Sequence, residues 1–293
     1  MKNTRTKTTA FHVKEKSGLF DFILAKMGGM SKTKVKSLLS HRQVSVNDKT
    51  ETKYDFPLKE NDKVVIGFSK QNTDFHHAKL RIIYEDDYLI AVNKSEGLLA
   101  VATDREEETT AFHIVKDYLR KKNPESRLYI VHRIDRETSG VLLFAKTKDI
   151  QLALHENWHN DVHKRIYYAL VEGVVGKDKD SIVSWLTENS KSKKVHSASH
   201  DNGGQKAITH YQVIERYDKF SLLKIELETG RKNQIRVHMQ SIGHPVVGDK
   251  KYGAQTSLTG RLGLHAAVLV IRHPATKQIV KFESELPFSP HRL

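Results

Sequence analysis

The charged segment 131–140 lies between two apolar runs, and this arrangement constrains the fold more than any other feature of the chain. Residues 128–131 (Leu-Tyr-Ile-Val) and 141–145 (Val-Leu-Leu-Phe-Ala) have the length and composition of buried β-strands. Between them, Asp135 stands two residues after one arginine and directly before another, ahead of a Thr-Ser-Gly turn. Two strands joined by such a loop hold a reactive group in a fixed place. Taken alone, Asp135 is either an ionised nucleophile or base, or a member of a surface ion cluster.

The segments around this loop mix strands and helices without a regular alternation. Residues 80–84 and 88–92 read as strands. Apolar residues then recur at helical spacing and predict an amphipathic helix that ends before Asn123-Pro124; they are Ala111, Ile114, Val115, Tyr118 and Leu119. The mixture favours an α+β fold over a doubly wound sheet. Because no glycine-rich phosphate loop is present, we expect no nucleotide cofactor.

The charge of the chain points to a polyanionic partner. The formal net charge is +14, and residues 1–76 alone contain 15 Lys and Arg against 8 Asp and Glu. Such a field favours nucleic acid, although a merely soluble basic surface is the alternative. The chain has no cysteine, which excludes disulfides, cysteine-ligated metals and thiol chemistry. We expect a cytoplasmic monomer that does not bind membranes, since no apolar run approaches the roughly 20 residues of a membrane span.

The N-terminal segment has the pattern of a small basic module. Residues 17–27 predict a helix that Gly28-Gly29 ends, and Ser31 can cap a second helix that ends near residue 42. Strands follow at 44–46 and 63–66. We therefore expect three parts, a flexible basic N-terminus (1–16), a small basic module (17–74) and a larger domain (75–293).

The order of helix, turn, basic helix and hairpin resembles the α-L RNA-binding module over residues 17–68. The resemblance implies that side chains of the second helix and the residues after it contact phosphates, namely Lys32, Lys34, Lys36 and Arg42. A solvated helix face without a ligand is the alternative.

Separated motifs of the larger part resemble those of the RNA pseudouridine synthases, specifically the RluA family. They are His-Arg-Ile-Asp at 132–135, Thr-Ser-Gly at 138–140, the strand at 165–173, the charged turn at 228–238, the turn-rich stretch 243–253 and Leu-Gly-Leu-His-Ala at 262–266. The resemblance covers about residues 78–290. It implies the pseudouridine synthase fold, which has a mixed, mainly antiparallel central sheet with helices and a catalytic cleft. It also implies isomerisation of uridine in RNA without a cofactor or metal. The implied substrate is large-subunit ribosomal RNA, with transfer RNA as the alternative.

The resemblance also implies roles for individual residues. Asp135 would be the catalytic aspartate and Arg236 its ion-pair partner. Tyr167 would lie against the target base as an acid or base, with Tyr168 as the other candidate for this position. Base flipping would place Arg133 in the stack that the target nucleotide leaves. The remaining residues assigned to RNA binding are Arg231, in the charged turn, and Leu264, as an apolar wall of the pocket.

Some positions depart from the family pattern. Ser95 stands where the family usually has proline, Asn233 where it has histidine, and Val-Ala-Thr at 101–103 replaces Val-His-Pro. These differences concern the rim of the cleft and the RNA target. The polar segment 176–206 is either a long mobile loop or hairpin that closes on RNA, or an insertion without a role.

Two other functions fit parts of the sequence. A catalytically silent RNA-binding or ribosome-assembly protein would use the same surfaces, but the residues expected for catalysis are all present. A phosphotransferase is suggested by His132-Arg133 before Asp135, but Ile134 intervenes and no glycine-rich ATP loop precedes it. The spacing of the histidines, among them His132, His238 and His265, matches no zinc motif.

Overall fold

A computed structural model describes residues 8–40, 43–47, 49–67, 75–102, 109–257 and 260–287. The chain divides into two compact units, one comprising residues 1–74 with 83–85 and the other 75–82 with 86–293. In the described part of the chain, no helix is long and apolar enough to cross a membrane.

The first unit packs two short helices on a small antiparallel sheet. Along the chain its elements are β1 (Thr8–His12), β2 (Ser17–Gly18), α1 (Leu19–Lys26), α2 (Lys32–Ser40), β3 (Val44–Val46), β4 (Lys49–Thr50), β5 (Pro57–Leu58) and β6 (Lys63–Gly67). Strands β1, β6, β3 and β4 are hydrogen-bonded in this order, and β2 pairs with β5. Apolar side chains of both helices and the sheet form one core, which includes Leu19, Ile23, Val35 and Val64.

The helix predictions for this unit are close to the structure, but the prediction for its N-terminus is not. The Ser31 Oγ accepts a hydrogen bond from the Lys34 amide at 3.3 Å, which confirms the predicted cap of α2. Residues 8–12, which we expected to be flexible, instead form β1 and pair along their whole length with β6. Arg42 lies outside the described residues.

The described residues between 80 and 283, of which all but 83–85 belong to the second unit, form one large sheet with its helices. Its elements are β7 (Leu80–Glu85), β8 (Leu89–Lys94), α3 (Ala111–Lys122), β9 (Tyr129–Ile130), β10 (Ser139–Ala145), α4 (Lys148–Glu156), α5 (Trp158–Asp161), β11 (Val162–Glu172), β12 (Lys179–Glu188), β13 (Val195–Ala198), β14 (Gln205–Arg216), β15 (Phe220–Leu227), α6 (Gln234–Ser241), a short 3-10 helix (Lys250–Tyr252), β16 (Leu264–Arg272) and β17 (Ile279–Glu283). The described strands are ordered β13-β12-β14-β15-β11-β16-β10-β8-β7, with β17 beside β16 and β9 beside β10.

The sheet is mixed and mainly antiparallel, because the pair β10 and β16 is parallel and the other described pairs are antiparallel. This confirms the predicted fold class. Every residue of β10 is buried, as its continuous apolar run predicts for a central strand. The apolar stripe of α3 is buried as well. The polar segment 176–206 is not a loop, because β12 and β13 form a hairpin at the edge of the sheet.

Candidate active site

A cleft of about 670 Å³ opens where the loop before β10, strand β11 and helix α6 meet. Its walls come from segments that are far apart in the sequence. They include all six cleft residues predicted from the sequence, which are Arg133, Asp135, Tyr167, Arg231, Arg236 and Leu264. Lys32, Lys34 and Lys36 belong to the first unit, where they are exposed on α2.

The loop that carries Asp135 is fixed by backbone hydrogen bonds. The Asp135 carbonyl accepts from the Thr138 amide at 3.1 Å, and the Arg136 carbonyl accepts from the Gly97 amide at 2.9 Å. The loop then enters β10 through Gly140, whose φ of +117° and contact with the Ala266 backbone exclude a side chain. The Asp135 side chain is left 29% exposed and faces the cleft, so it is open to a ligand.

A buried lysine supports this loop from behind. Lys94, at the end of β8, is fully buried and donates to the carbonyls of Ser95, Leu98 and Arg136 at 2.8 to 3.0 Å. Three carbonyl acceptors match the three N–H donors of an ammonium group. Burial lowers the pKa of Lys94 to about 7, against the opposing charges of Glu137 and Asp135. No pattern in the sequence had indicated this role of Lys94.

Arg236 lies on α6 and is shared between two carboxylates. Its guanidinium donates to Asp249 through Nε at 2.6 Å and Nη2 at 2.7 Å, while Nη1 is 3.9 Å from Asp135 Oδ2. Burial alone would lower the pKa of Arg236, but the hydrogen bonds and charge of Asp249, with the charge of Asp135, raise it. The guanidinium is therefore a fixed cation beside Asp135. From its local sequence alone, Arg236 would be read as a surface arginine on a strand.

The sequence missed Asp249, although it marked the stretch 243–253 as rich in turns. The Asp249 side chain is fully buried and also accepts from the Tyr252 amide at 3.3 Å. The Tyr252 ring in turn lies under Arg236, with the guanidinium carbon 5.0 Å from the ring centroid. Asp249 and Tyr252 thus set the orientation of Arg236.

Tyr167 and Tyr168 lie on different sides of β11 and therefore have different surroundings. Tyr167 lines the cleft, whereas Tyr168 packs against the apolar cluster around Leu170 and Leu222. A register shift between β11 and β16 occurs between Ile166 and Tyr167, next to the site. Burial, aided by the charge of Asp135 and opposed by that of Arg165, raises the pKa of Tyr167 to about 12. The phenol is therefore neutral at physiological pH.

Arg165 is a cleft residue that sequence reasoning passed over. It donates through Nη2 to the carbonyls of Leu227 and Glu228 at 3.1 and 2.7 Å. A Cβ at Gly230 would lie 2.6 Å from Arg165 Nη1, so this glycine leaves room for the guanidinium. Arg165 thus ties the end of β15 and the charged turn after it to β11. Its position two residues before Tyr167 was the sequence signal that could have marked it as a cleft residue.

The lining of the cleft also includes aromatic and basic groups near the start of the Asp135 loop. Arg133 is exposed, and Trp158 lies with its ring centroid 5.7 Å from that of His132. Burial, then the charge of Arg165, lowers the pKa of His132 to about 4, so its ring is neutral. Its Nε2 accepts from the Leu143 amide at 3.0 Å, which gives it a structural contact with β10.

A hydrogen-bonded chain lies at the parallel pair of strands. Arg261 donates to Ser139 Oγ at 2.6 Å and pairs with Glu96 at 2.7 Å. Ser139 Oγ is 2.7 Å from Nδ1 of His265, whose pKa burial lowers to about 4. This chain joins the Thr-Ser-Gly turn to β16. Among the described residues, no three or more His, Cys, Asp or Glu side chains are grouped so that they could hold a metal ion.

Comparison with known proteins identifies the family. A model of the family described as RNA pseudouridylate synthase matches residues 88–241. The chain belongs to this family. The match sets aside the phosphotransferase and the silent RNA-binding protein, and it confirms the resemblance to the RluA family of RNA pseudouridine synthases.

The similarity to individual proteins extends over most of this chain. It is 32% identical to the uncharacterized RNA pseudouridine synthase YlyB of Bacillus subtilis, over 95% of this chain and 93% of that protein. It is 33% identical to ribosomal large subunit pseudouridine synthase D of Neisseria meningitidis, over 92% of this chain and 76% of that protein. The solved structure of human RNA pseudouridylate synthase domain containing 1 has a TM-score of 0.59 and 25% identity, over 75% of this chain and 89% of that chain. The predicted pseudouridine synthase fold is therefore confirmed.

Proposed function

We propose that this synthase converts uridine to pseudouridine in large-subunit ribosomal RNA, with Asp135 as its catalytic carboxylate. The observation that carries the proposal is that Asp135, Tyr167 and Arg236 meet in one cleft although they are far apart in the sequence. The similarity to the Neisseria large-subunit enzyme supports the choice of RNA. Transfer RNA is the alternative substrate.

The reaction fixes what the cleft must do. The bond between uracil N1 and ribose C1′ breaks, the base turns, and C5 bonds to C1′. The hydrogen on C5 is then lost to water and N1 gains a proton, so the reaction is redox-neutral. Asp135 acts on the bound nucleotide as an ionised group, which Arg236 stabilises from 3.9 Å. The second carboxylate, Asp249, holds Arg236 in place while Asp135 reacts.

Tyr167 contributes as a neutral phenol. Its position in the cleft wall allows its ring to lie against the uracil. Because its pKa is raised to about 12, the hydroxyl group is protonated at physiological pH and is present as an acid, not as a base. Leu264 provides an apolar surface of the same pocket.

The nucleotide reaches this cleft by leaving the RNA stack, because its glycosidic bond is inaccessible in a helix. Arg133 is exposed at the cleft and fills the space that the flipped base leaves. Arg231, exposed in the charged turn before α6, contacts the RNA backbone. In the first unit, the exposed side chains of Lys32, Lys34 and Lys36 bind further phosphates, as the resemblance to an α-L module implies.

Release of tritium tests this proposal. Transcripts of large-subunit ribosomal RNA and of transfer RNA carry tritium on C5 of uridine, and release to water is measured for the wild type, Asp135→Asn and Glu137→Gln. Glu137 is an exposed carboxylate of the same loop that does not line the cleft. We expect release from ribosomal RNA by the wild type and Glu137→Gln, and none by Asp135→Asn. Full release by Asp135→Asn would overturn the role of Asp135, and release from transfer RNA alone would overturn the substrate.

A further inference from the structure

Four lysines form a cluster beside the cleft, at the same end of the sheet as the charged turn before α6. Lys193 and Lys194 lie at the tip of the β12–β13 hairpin, Lys232 lines the cleft, and Lys251 lies in the short 3-10 helix. We call Lys193, Lys194, Lys232 and Lys251 the lysine cluster. The hairpin belongs to the polar segment whose role the sequence left open.

The hairpin tip is built to a defined shape. The Asn189 side-chain oxygen accepts from the amides of Lys191 and Ser192 at 3.0 and 2.9 Å. The Asn189 backbone bonds to that of Lys193 and Lys194 at 2.9 Å, and Lys193 adopts a left-handed φ of +54°. A tip with these bonds presents its lysines from fixed backbone positions.

The tip is joined to the catalytic arginine through one buried residue. The Tyr252 hydroxyl accepts from the Val195 amide at 3.1 Å and from the Asn233 side chain at 3.0 Å. The Arg236 guanidinium packs over the Tyr252 ring. Lys194 Nζ and Lys251 Nζ lie 5.5 Å and 5.9 Å from the centroid of the same ring. Lys251 also donates to the Lys193 carbonyl at 2.8 Å. Hairpin, 3-10 helix and Arg236 therefore form one packed assembly.

The charges of this assembly are not balanced. Glu188 pairs with Lys232 at 2.5 Å, and Asp249 and Asp135 face Arg236. Within the described ranges, no carboxylate forms an ion pair with Lys193, Lys194 or Lys251. Partial burial, then the charges of Arg236 and Lys232, lower the pKa of Lys251, and the charges of Glu188 and Asp135 oppose this shift. An anion bound among these lysines relieves the repulsion that Arg236 and Lys232 exert on Lys251.

We propose that the lysine cluster binds phosphates of the RNA strand on one side of the target uridine. The proposal rests on RNA being the substrate of the cleft. A phosphodiester strand fits better than a single small anion, because the cations continue from the hairpin tip through Lys232 to the cleft. Lys194 and Lys251 also lie near the Tyr252 ring, which places the cluster next to Arg236 and the cleft.

Salt-dependent RNA binding tests the cluster. The probe is a fluorescein-labelled oligouridylate RNA, and its Kd is measured by anisotropy over a range of salt concentrations. Lys193→Gln with Lys194→Gln removes two cluster charges, and Lys121→Gln with Lys219→Gln removes two exposed charges that do not line the cleft. The cluster variant and the control variant therefore have the same net charge. We expect the slope of log Kd against log salt to fall by about 1.4 for the cluster variant, or about 0.7 for each lost single-strand contact, and by much less for the control.

Kinetics and a conservative variant complete the test. For the cluster variant we expect KM for RNA to rise about tenfold with kcat nearly unchanged. Lys251→Gln should weaken binding, and Lys251→Arg, which keeps the charge, should restore it. Equal slopes for the cluster and control variants would overturn the proposal. Binding is also measured with Asp135→Asn, so failure of the cluster is distinguishable from failure of the catalytic assignment.

Discussion

Arg236 and Asp249 form a buried bidentate ion pair, with nitrogen–oxygen distances of 2.6 and 2.7 Å, beside Asp135. The pair uses Nε and Nη2 of the guanidinium, while Nη1 donates to Asn233 Oδ1 at 3.3 Å and lies 3.9 Å from Asp135 Oδ2. The carboxylate that fixes Arg236 is thus a different one from the carboxylate proposed to react. A cation positioned in this way needs no reorganisation when charge changes on Asp135.

Asp249→Asn should lower both stability and activity. The variant leaves the buried Arg236 without its closest counterion, which costs about 3 kcal/mol of unfolding free energy. Because Arg236 is then free to shift relative to Asp135, we expect kcat to fall by about 100-fold with a smaller change in KM. Urea unfolding and the tritium-release assay measure the two effects.

The surface pair of Arg216 and Asp178 provides the control for that variant. Its nitrogen–oxygen distance is also 2.6 Å, but Asp178 is 86% exposed. Asp178→Asn should therefore cost less than about 1 kcal/mol and leave kcat unchanged. Equal effects of the two substitutions would show that burial of the Asp249 pair has no special importance.

Tyr167→Phe should slow the reaction, whereas Tyr168→Phe should not. Loss of a hydroxyl that donates a proton in the cleft should lower kcat by about 100-fold, while Tyr168 packs on the other side of the strand. Because the pKa of Tyr167 is raised to about 12, the wild-type rate should show no loss from its ionisation between about pH 6 and 10. A pH-rate profile decides this, and a decline near pH 10 that Tyr167→Phe removes would contradict it.

Lys94→Met should destabilise the protein and loosen the Asp135 loop. The substitution leaves three carbonyl acceptors without their donor, which should cost about 3 kcal/mol in urea unfolding. Lys121→Met, at an exposed lysine of α3, should change stability by less than about 0.5 kcal/mol. If Lys94→Met and Lys121→Met lower the free energy of unfolding equally, the Lys94 hydrogen bonds make no net contribution to stability.

The pH dependence of stability gives a second test of Lys94. Its pKa falls from 10.5 to about 7 on folding, so between these values the unfolded chain binds more protons at this position than the folded chain. Its contribution to stability therefore rises with pH across this window. Lys94→Met should reduce that rise, and an unchanged slope of unfolding free energy against pH would contradict the expectation.

Local patterns predicted the elements of the fold well. The apolar run at 141–145 predicted a strand, and this strand is fully buried in the structure. The apolar stripe that begins at Ala111 predicted a helix, and it forms the buried face of α3. These patterns depend only on spacing along the chain. The motifs around Asp135, Tyr167 and Arg236 also predicted which residues share the cleft.

Contacts between distant segments were not predictable from such patterns. Lys94 reads as a polar residue at the end of a strand, and only the packed fold brings the Arg136 carbonyl to it from 42 positions away. Asp249 reads as a turn residue, since nothing local shows that it faces α6. The polar composition of 176–206 left a mobile loop or a hairpin open, and pairing of β12 with β13 and β14 shows a hairpin within the sheet.

The lysines of α2 should contribute to affinity but not to chemistry. If the first unit binds phosphates, the double variant Lys32→Gln with Lys36→Gln should bind RNA with a weaker salt dependence. We expect the slope of log Kd against log salt to fall by about 1.4 and kcat to stay unchanged. The matched control is Lys53→Gln with Lys59→Gln, which removes two exposed charges of the same unit outside its helices. Identical salt dependence of the two double variants would show that α2 has no specific role.

Gly140→Ala should be among the most damaging single substitutions in the second unit. Gly140 has a φ of +117°, and a Cβ at this position would lie 2.1 Å from the Ala266 carbonyl oxygen. The parallel pair β10 and β16 would have to separate where it also holds Ser139 against His265. We expect a loss of more than about 2 kcal/mol by urea unfolding, together with lower activity, because the Asp135 loop enters β10 here. Gly176→Ala, where a Cβ meets no atom within 4 Å, is the control and should be nearly neutral.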